Sequence, residues 1–352
     1  MIFERLAPVQ HDTIDGVPEP SENPHLIGHG QVGAQLASAF RAGRLPHALL
    51  FTGPSGIGKT TLAFRLAFHL LSFPRHAEAP DELIPADPAS PLFRSIAQGA
   101  HPGVLYLTRP ANERTKGFKT VITVDEIRRL SRFLSMTAHD GGYRIVIVDP
   151  ADDLNISAAN ALLKSLEEPP PRTVFVLVAH SPGALLPTIR SRCQIVRLQP
   201  LREEETLGVL RALGLAIPPS PEAQAALASR AGGSVRSAIL LTEYGGLEIA
   251  SAVDAVLDGS PFDLAAAAKI ADAVTGREQA MQFELFNAHV LDAIAQRATD
   301  AARAGDAAAA DRLAALWSDT RRALDETDTF NLDKRQHVLG TLMRTHRVLN
   351  GG

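Results

Sequence analysis

Over the first two hundred residues, apolar side chains collect in short unbroken runs, and beyond them in helical periods. HALLF (His47–Phe51), RIVIV (Arg144–Val148) and TVFVLVA (Thr173–Ala179) have strand length and no polar face. That pattern belongs to strands covered on both sides of a parallel sheet. VLYL (Val104–Leu107) predicts a further strand. Helical spacing separates the runs: Val32, Leu36 and Phe40 within Gly30–Gly43, then TLAFRLAFHLL, then Ile127, Leu130 and Leu134. Thr123 is the expected N-cap of that last helix, with Glu126 completing a capping box. ISAANALLKSLEE is a helix stopped by Pro169–Pro171, since proline removes a backbone donor and clashes with the preceding turn. Strand alternating with helix predicts an α/β domain with helices on both faces of a parallel sheet.

The flanking regions read differently. Four prolines and several acids in the first twenty-five residues predict an irregular arm. Ser72–Lys119 is rich in proline and polar residues and has the length of an insertion. After about Leu201 strands vanish and alanine-rich helical segments continue to the end, with Gly259–Pro261 marking a boundary. The expected division is an arm at 1–24, an α/β domain at 25–200, a small helical domain at 201–260 and an all-α domain at 262–350.

Composition narrows the function classes. The chain has 352 residues, 45% apolar and 21% charged, with a net charge of −4, so no global basic field draws it to nucleic acid. Any such contact is local or shared with partners. A single cysteine, Cys193, excludes an intrachain disulfide framework and an all-cysteine zinc site, and reads as a small buried residue. The twelve histidines show no metal-ligand spacing. No run approaches eighteen apolar residues and the N-terminus lacks a signal-peptide core, so a soluble cytoplasmic protein without membrane contact is expected.

GPSGIGKT (Gly53–Thr60) matches the phosphate-binding pattern G-x-x-x-x-G-K-[ST] between a predicted strand and helix. Gly53, Gly56 and Gly58 let backbone N–H groups wrap phosphates at a helix N-terminus. Lys59 reaches the β- and γ-phosphates, Thr60 holds Mg²⁺ through its hydroxyl, and Thr61 continues the site. Asp149, ending the strand RIVIV, is the second metal-side group. An ATPase of this design needs an acid next, and Pro150 supplies neither a base nor an N–H. Asp152 and Asp153 lie further along as conceivable substitutes or as helix caps.

LLKSLEEPP (Leu162–Pro170) and FVLVAHSPGALLPTIRSRCQ (Phe175–Gln194) resemble the clamp-loader branch of the AAA+ ATPases. Ile27–Gly30 is similar to the segment near adenine, Gly232–Leu241 to the second sensor, and Phe330–Leu342 to the last collar helices. The resemblance implies ATP and Mg²⁺ at the P-loop, Arg236 on the nucleotide and His180 at the first sensor position. It makes Arg192 an arginine finger reaching a neighbouring ATPase subunit's γ-phosphate, and makes 201–260 a lid and 262–350 an oligomerising collar. It places Asn160 and Lys164 on a helix near a central DNA chamber, where Lys164 is a phosphate-contact candidate or simply part of a solvated face.

Pro150 in place of glutamate, and the absence of the four-cysteine zinc module carried by the motor subunits, favour a non-motor subunit of the DNA polymerase III loader. Its own ATPase is then weak or absent. The implied partners are a gamma/tau motor, a delta subunit, the sliding clamp and primed DNA. The alternatives are an active gamma/tau-type motor and a P-loop scaffold unrelated to replication.

Overall fold

β1 (Ala48–Thr52), β3 (Arg144–Val148) and β4 (Thr173–Ala179) form the middle of a five-stranded parallel sheet of order β2-β3-β4-β1-β5. β2 is Val104–Leu107, and β5 is Gln194–Arg197. All residues of β1 and β4 are buried, as apolar runs without a polar face require. The computed structural model describes residues 5–112, 117–135, 142–181, 183, 185–276 and 279–350.

Two apolar layers cover the sheet. On one side Phe40 of α1 (Gly30–Arg41) and Leu62, Leu66 and Leu70 of α2 (Lys59–Ser72) pack on Leu49, Phe51, Ile145 and Ile147. On the other, Ile127 and Leu130 of α4 (Val124–Ser135) and Leu162 and Leu166 of α5 (Ile156–Glu167) meet Leu50, Val146, Val148, Phe175 and Leu177. Residues pointing to alternate faces along each strand therefore divide between the two cores.

Several local expectations are modified. The 72–119 segment contains a helix, α3 (Pro91–Ala97), whose N-cap Ser90 accepts a hydrogen bond from Phe93 N and whose proline sits in the first turn. β5 pairs with β1 at the sheet edge, and its exposed residues leave no apolar run to announce it. The capping box at Thr123 does not form: its hydroxyl is buried without a partner, and Glu126 pairs with Arg129 one turn along. α5 begins as predicted, with Asn155 Oδ1 accepting from Ala158 N at 2.8 Å.

Beyond the sheet the described chain is helical: α6 (Pro187–Arg190) precedes β5, and α7 (Glu203–Ala212), α8 (Pro221–Ala231) and α9 (Val235–Glu243) follow it. By contact density the chain divides into two compact units, Met1–Arg236 and Ser237–Gly352. In the second unit α10 (Gly246–Asp258), α11 (Leu264–Val274), α12 (Ala280–Arg303), α13 (Ala307–Phe330) and α14 (Lys334–Leu349) share one core. α10, expected with the small helical domain at 201–260, contributes Val253, Val256 and Leu257 to that core. A polar chain is buried within it: His337 Nε2 lies 2.8 Å from Asn287 Oδ1, and His337 Nδ1 lies 3.2 Å from the Thr327 hydroxyl. Among the described residues no helix is long and apolar enough to cross a membrane.

Candidate nucleotide site

The turn from β1 into α2 is built from glycines in backbone conformations that other residues rarely adopt. Gly53, Gly56 and Gly58 have φ of 148°, 73° and 95°. A Cβ on Gly53 would lie 2.5 Å from Leu198 O, and one on Gly56 2.3 Å from Ser234 Oγ. Gly56 O accepts hydrogen bonds from Val235 N at 2.9 Å and Arg236 N at 3.4 Å, so the loop is tied by main chain to the start of α9.

Lys59, only 3% exposed, turns its ammonium back on the loop, donating to Gly53 O at 2.8 Å and to Pro54 O. Burial lowers its pKa to about 8, while the charges of Asp149 and Asp152 hold it up. Thr60 Oγ1 donates to Asp149 Oδ2 at 2.7 Å, bringing together the two groups predicted to hold Mg²⁺. Tyr106 on β2 donates its hydroxyl to the same oxygen at 3.0 Å. Burial pushes the Asp149 carboxyl up to about 6; the Thr60 and Tyr106 hydrogen bonds oppose that rise, and the charge of Asp12 adds to it. Thr61 is half-buried on the first turn of α2.

The proline after Asp149 leads into a 3-10 turn, Ala151–Asp153. Asp152 Oδ2 accepts from His180 N at 2.6 Å and Ser181 N at 3.0 Å, fastening the turn to the end of β4. Asp153 pairs with Arg109 Nε at 2.5 Å, which commits it to a salt bridge. His180 Nδ1 is buried with no hydrogen-bond partner among the described residues, and burial, helped by the Lys59 charge, lowers its pKa to about 4. The imidazole is therefore neutral at physiological pH.

Ile27–Gly30 adjoins the loop. His29 Nε2 is 2.7 Å from Ile57 O, and its ring lies 3.8 Å from where a Gly58 Cβ would stand. Arg236 shares the neighbourhood through its backbone, but its guanidinium donates to Asp12 O. Arg192 is held elsewhere: Nη1 donates to Thr188 O at 2.9 Å and Nη2 pairs with Glu167 at 2.5 Å. Its side chain is 35% exposed. Cys193 packs half-buried against the α4–α5 layer with its thiol pushed up to about 11 by burial, which makes it inert. Asn160 and Lys164 lie exposed one turn apart on α5.

Tyr106, Glu167, His29 and Asp12 add contacts that sequence reasoning does not assign to side chains. The donor set fits a magnesium–nucleotide pair: a glycine cradle at a helix N-terminus, one lysine, and the hard oxygens of Thr60 and Asp149.

Residues 28–202 match the family described as DNA polymerase III, delta subunit. DNA polymerase III subunit delta' of Pseudomonas aeruginosa is 43% identical over 148 residues, 42% of this chain and 41% of that protein. Its counterpart in Escherichia coli is 34% identical over 170 residues, 48% of this chain and 47% of its own length. DNA polymerase III subunit gamma/tau of Mycobacterium tuberculosis is 33% identical over 174 residues, 49% of this chain and 28% of that protein. The matches thus span less than half the length of each of these relatives.

Proposed function

The chain belongs, through residues 28–202, to the delta-prime family of DNA polymerase III clamp-loader subunits, and on that premise we propose that it is a non-motor member of the loader. In this reading it holds Mg²⁺–ATP weakly, turns it over very slowly, and assists hydrolysis in a neighbouring gamma/tau-type subunit through Arg192. The assembly, which includes a delta subunit, would open the sliding clamp and place it on primed DNA. Residues after 262 would join the subunits as a collar, with 201–260 as the lid.

The observation that carries the reading is the pairing of an intact Lys59–Thr60–Asp149 set with Pro150 where a water-activating acid is required. Lys59 would hold phosphate oxygens, Thr60 and Asp149 would order the metal's ligand shell, and neutral His180 would offer a hydrogen bond. The metal would supply charge neutralisation at the phosphates. The residue after Asp149 is a proline and offers no base, Asp153 is bound to Arg109, and Asp152 has one oxygen fixed by two N–H groups and the other buried. Arg192, partly exposed on its Glu167 support, has the chemistry of a finger offered outward.

The test is reconstitution with a gamma/tau motor subunit, comparing wild type, Arg192→Ala and Lys59→Ala. Arg192→Ala should lower ATPase at the site it serves by about a thousandfold or more while the complex still assembles, the scale such fingers supply elsewhere. Unchanged ATPase removes the finger assignment. The second reading, an active gamma/tau-type motor, draws on the Mycobacterium match, which is nearly as high as that to the Escherichia coli subunit. Turnover near one per second by the isolated chain would favour it.

A further inference from the structure

The arm that precedes the P-loop domain is irregular in backbone yet tightly fixed. Arg5 staples it: Nη1 donates to Glu19 at 2.8 Å, and Nη2 donates to Ile14 O at 3.0 Å and Val17 O at 2.9 Å. The Glu22 carboxylate accepts from Leu6 N, from Ala7 N at 2.8 Å and from Glu19 N at 3.0 Å. Glu19 and Glu22 are 7% and 6% exposed, and Ile14 and Val17 are buried. Two buried carboxylates satisfied by one guanidinium and several N–H groups set a single loop shape, because the alternative leaves charge unpaired in a low-dielectric environment.

The staple presents the loop tip, His11–Asp12, to the nucleotide site. His11 Nδ1 lies 3.5 Å from the Thr108 hydroxyl, and its ring meets Phe118 edge-on at 6.5 Å. Asp12 O accepts from Arg236 Nη1, and the Asp12 carboxylate stands 4.0 Å from the same nitrogen. Arg236 is the arginine whose backbone N–H is bound to the P-loop glycine, so the arm has taken the guanidinium of a residue anchored there. The charge of Asp12 also contributes to raising the carboxyl of Asp149 and is felt at His180. Asp12 thus holds the site's arginine through its carbonyl, keeps its carboxylate 4.0 Å from the same guanidinium and opposes the ionisation of the metal-side carboxyl.

We propose that the arm is an internal ligand of this site, in which Asp12 stands in for a nucleotide's terminal phosphate on Arg236, so that a nucleoside diphosphate fits with the arm docked and a triphosphate must displace it. This rests on the nucleotide-binding reading given above. A triphosphate brings its extra oxygens toward the Asp12 carboxylate and must compete for Arg236. Its apparent affinity is therefore the intrinsic affinity multiplied by the fraction of molecules whose arm is undocked.

The experiment uses the full chain with magnesium and fluorescent ADP and ATPγS. Wild type should bind the diphosphate at least about tenfold more tightly than the triphosphate analogue. In Asp12→Ala that ratio should shrink to within about threefold, chiefly by tighter triphosphate binding. Arg5→Ala, which loosens the staple without touching the site, should shrink it similarly. ATPγS, and not ADP, should also speed proteolysis within the arm. An unchanged ratio in both variants, with binding still lost in Lys59→Ala, overturns the internal ligand while leaving the nucleotide site intact. No saturable Lys59-dependent binding by wild type or either variant overturns both.

Discussion

Replacing Asp149 by asparagine should make the protein more stable at neutral pH and no more stable in acid. The carboxyl is pushed from 3.8 to about 6 by burial. Two units correspond to about 3 kcal/mol, at about 1.4 kcal/mol per unit. Asp149 keeps a partly exposed edge and Lys59 would lose a nearby counter-charge, which trims the expected gain to about 2 kcal/mol. The sign follows from linkage. An acid whose pKa is raised on folding holds its proton longer in the native state, so wild type is most favoured below about 3.8 and loses stability as pH rises to about 6. Asparagine offers a neutral oxygen that can accept from both Thr60 and Tyr106, so the local hydrogen bonds survive. Urea unfolding followed by far-ultraviolet circular dichroism at pH 7.5 and pH 4.0 reads the effect. The variant should gain about 2 kcal/mol at the higher pH and nothing at the lower, while losing magnesium-dependent nucleotide affinity. A variant weaker than wild type at pH 7.5, or shifted equally at both pH values, would refute the reasoning, because Asp149 would then be stabilised by its hydrogen bonds and not burdened by burial.

Other consequences can be checked separately. Gly56→Ala forces a left-handed backbone on alanine and a Cβ into Ser234 Oγ, so unfolding should come easier by about 2 kcal/mol, with weaker nucleotide binding measured by titration. His337 has its pKa lowered to about 4 by burial. The unfolded chain then binds the proton first, so the second unit loses stability as pH falls from 6.5 toward 4. His337→Gln should flatten that fall at a cost of about 2 kcal/mol at pH 7.5, followed by the fluorescence of Trp317, the single tryptophan. The Cys193 thiol, at about 11, should be ionised in about one molecule in a thousand at pH 8, so a thiol reagent should label native protein far more slowly than urea-unfolded protein. Equal labelling rates would deny the burial.

The sheet interior was legible because strands covered on both faces must be apolar throughout: Leu49, Phe51, Ile145 and Val176 have no solvent side to mark with a polar residue. β5 was not, since an edge strand with exposed Gln194 and Arg197 carries no such run. α3 was hidden in a proline-rich stretch, although Ser90 followed by proline at the first helical position is the local signal that finds it. Thr123 shows the limit of short patterns: the residues of a capping box are present, but burial of the hydroxyl leaves the bond unmade. At the site, the P-loop was readable because its geometry demands glycine locally at Gly53, Gly56 and Gly58. Tyr106 on Asp149 and Asp12 on Arg236 were not, because those contacts join positions 43 and 224 residues apart and no local spacing encodes them.

The bonds from Val235 N and Arg236 N to Gly56 O join peptide groups and involve no side chain. Substitution at 235 or 236 can therefore change the chemistry presented to a ligand without cutting the tether, provided the helix still starts there and the new residue keeps its N–H. The loop and the head of α9 behave as one hinge leaf whose fittings are interchangeable. A lineage could lose the guanidinium at 236, and with it any grip on phosphate or on Asp12, while the loop kept its shape. A preserved P-loop fold in a relative is therefore weak testimony that nucleotide is still used there.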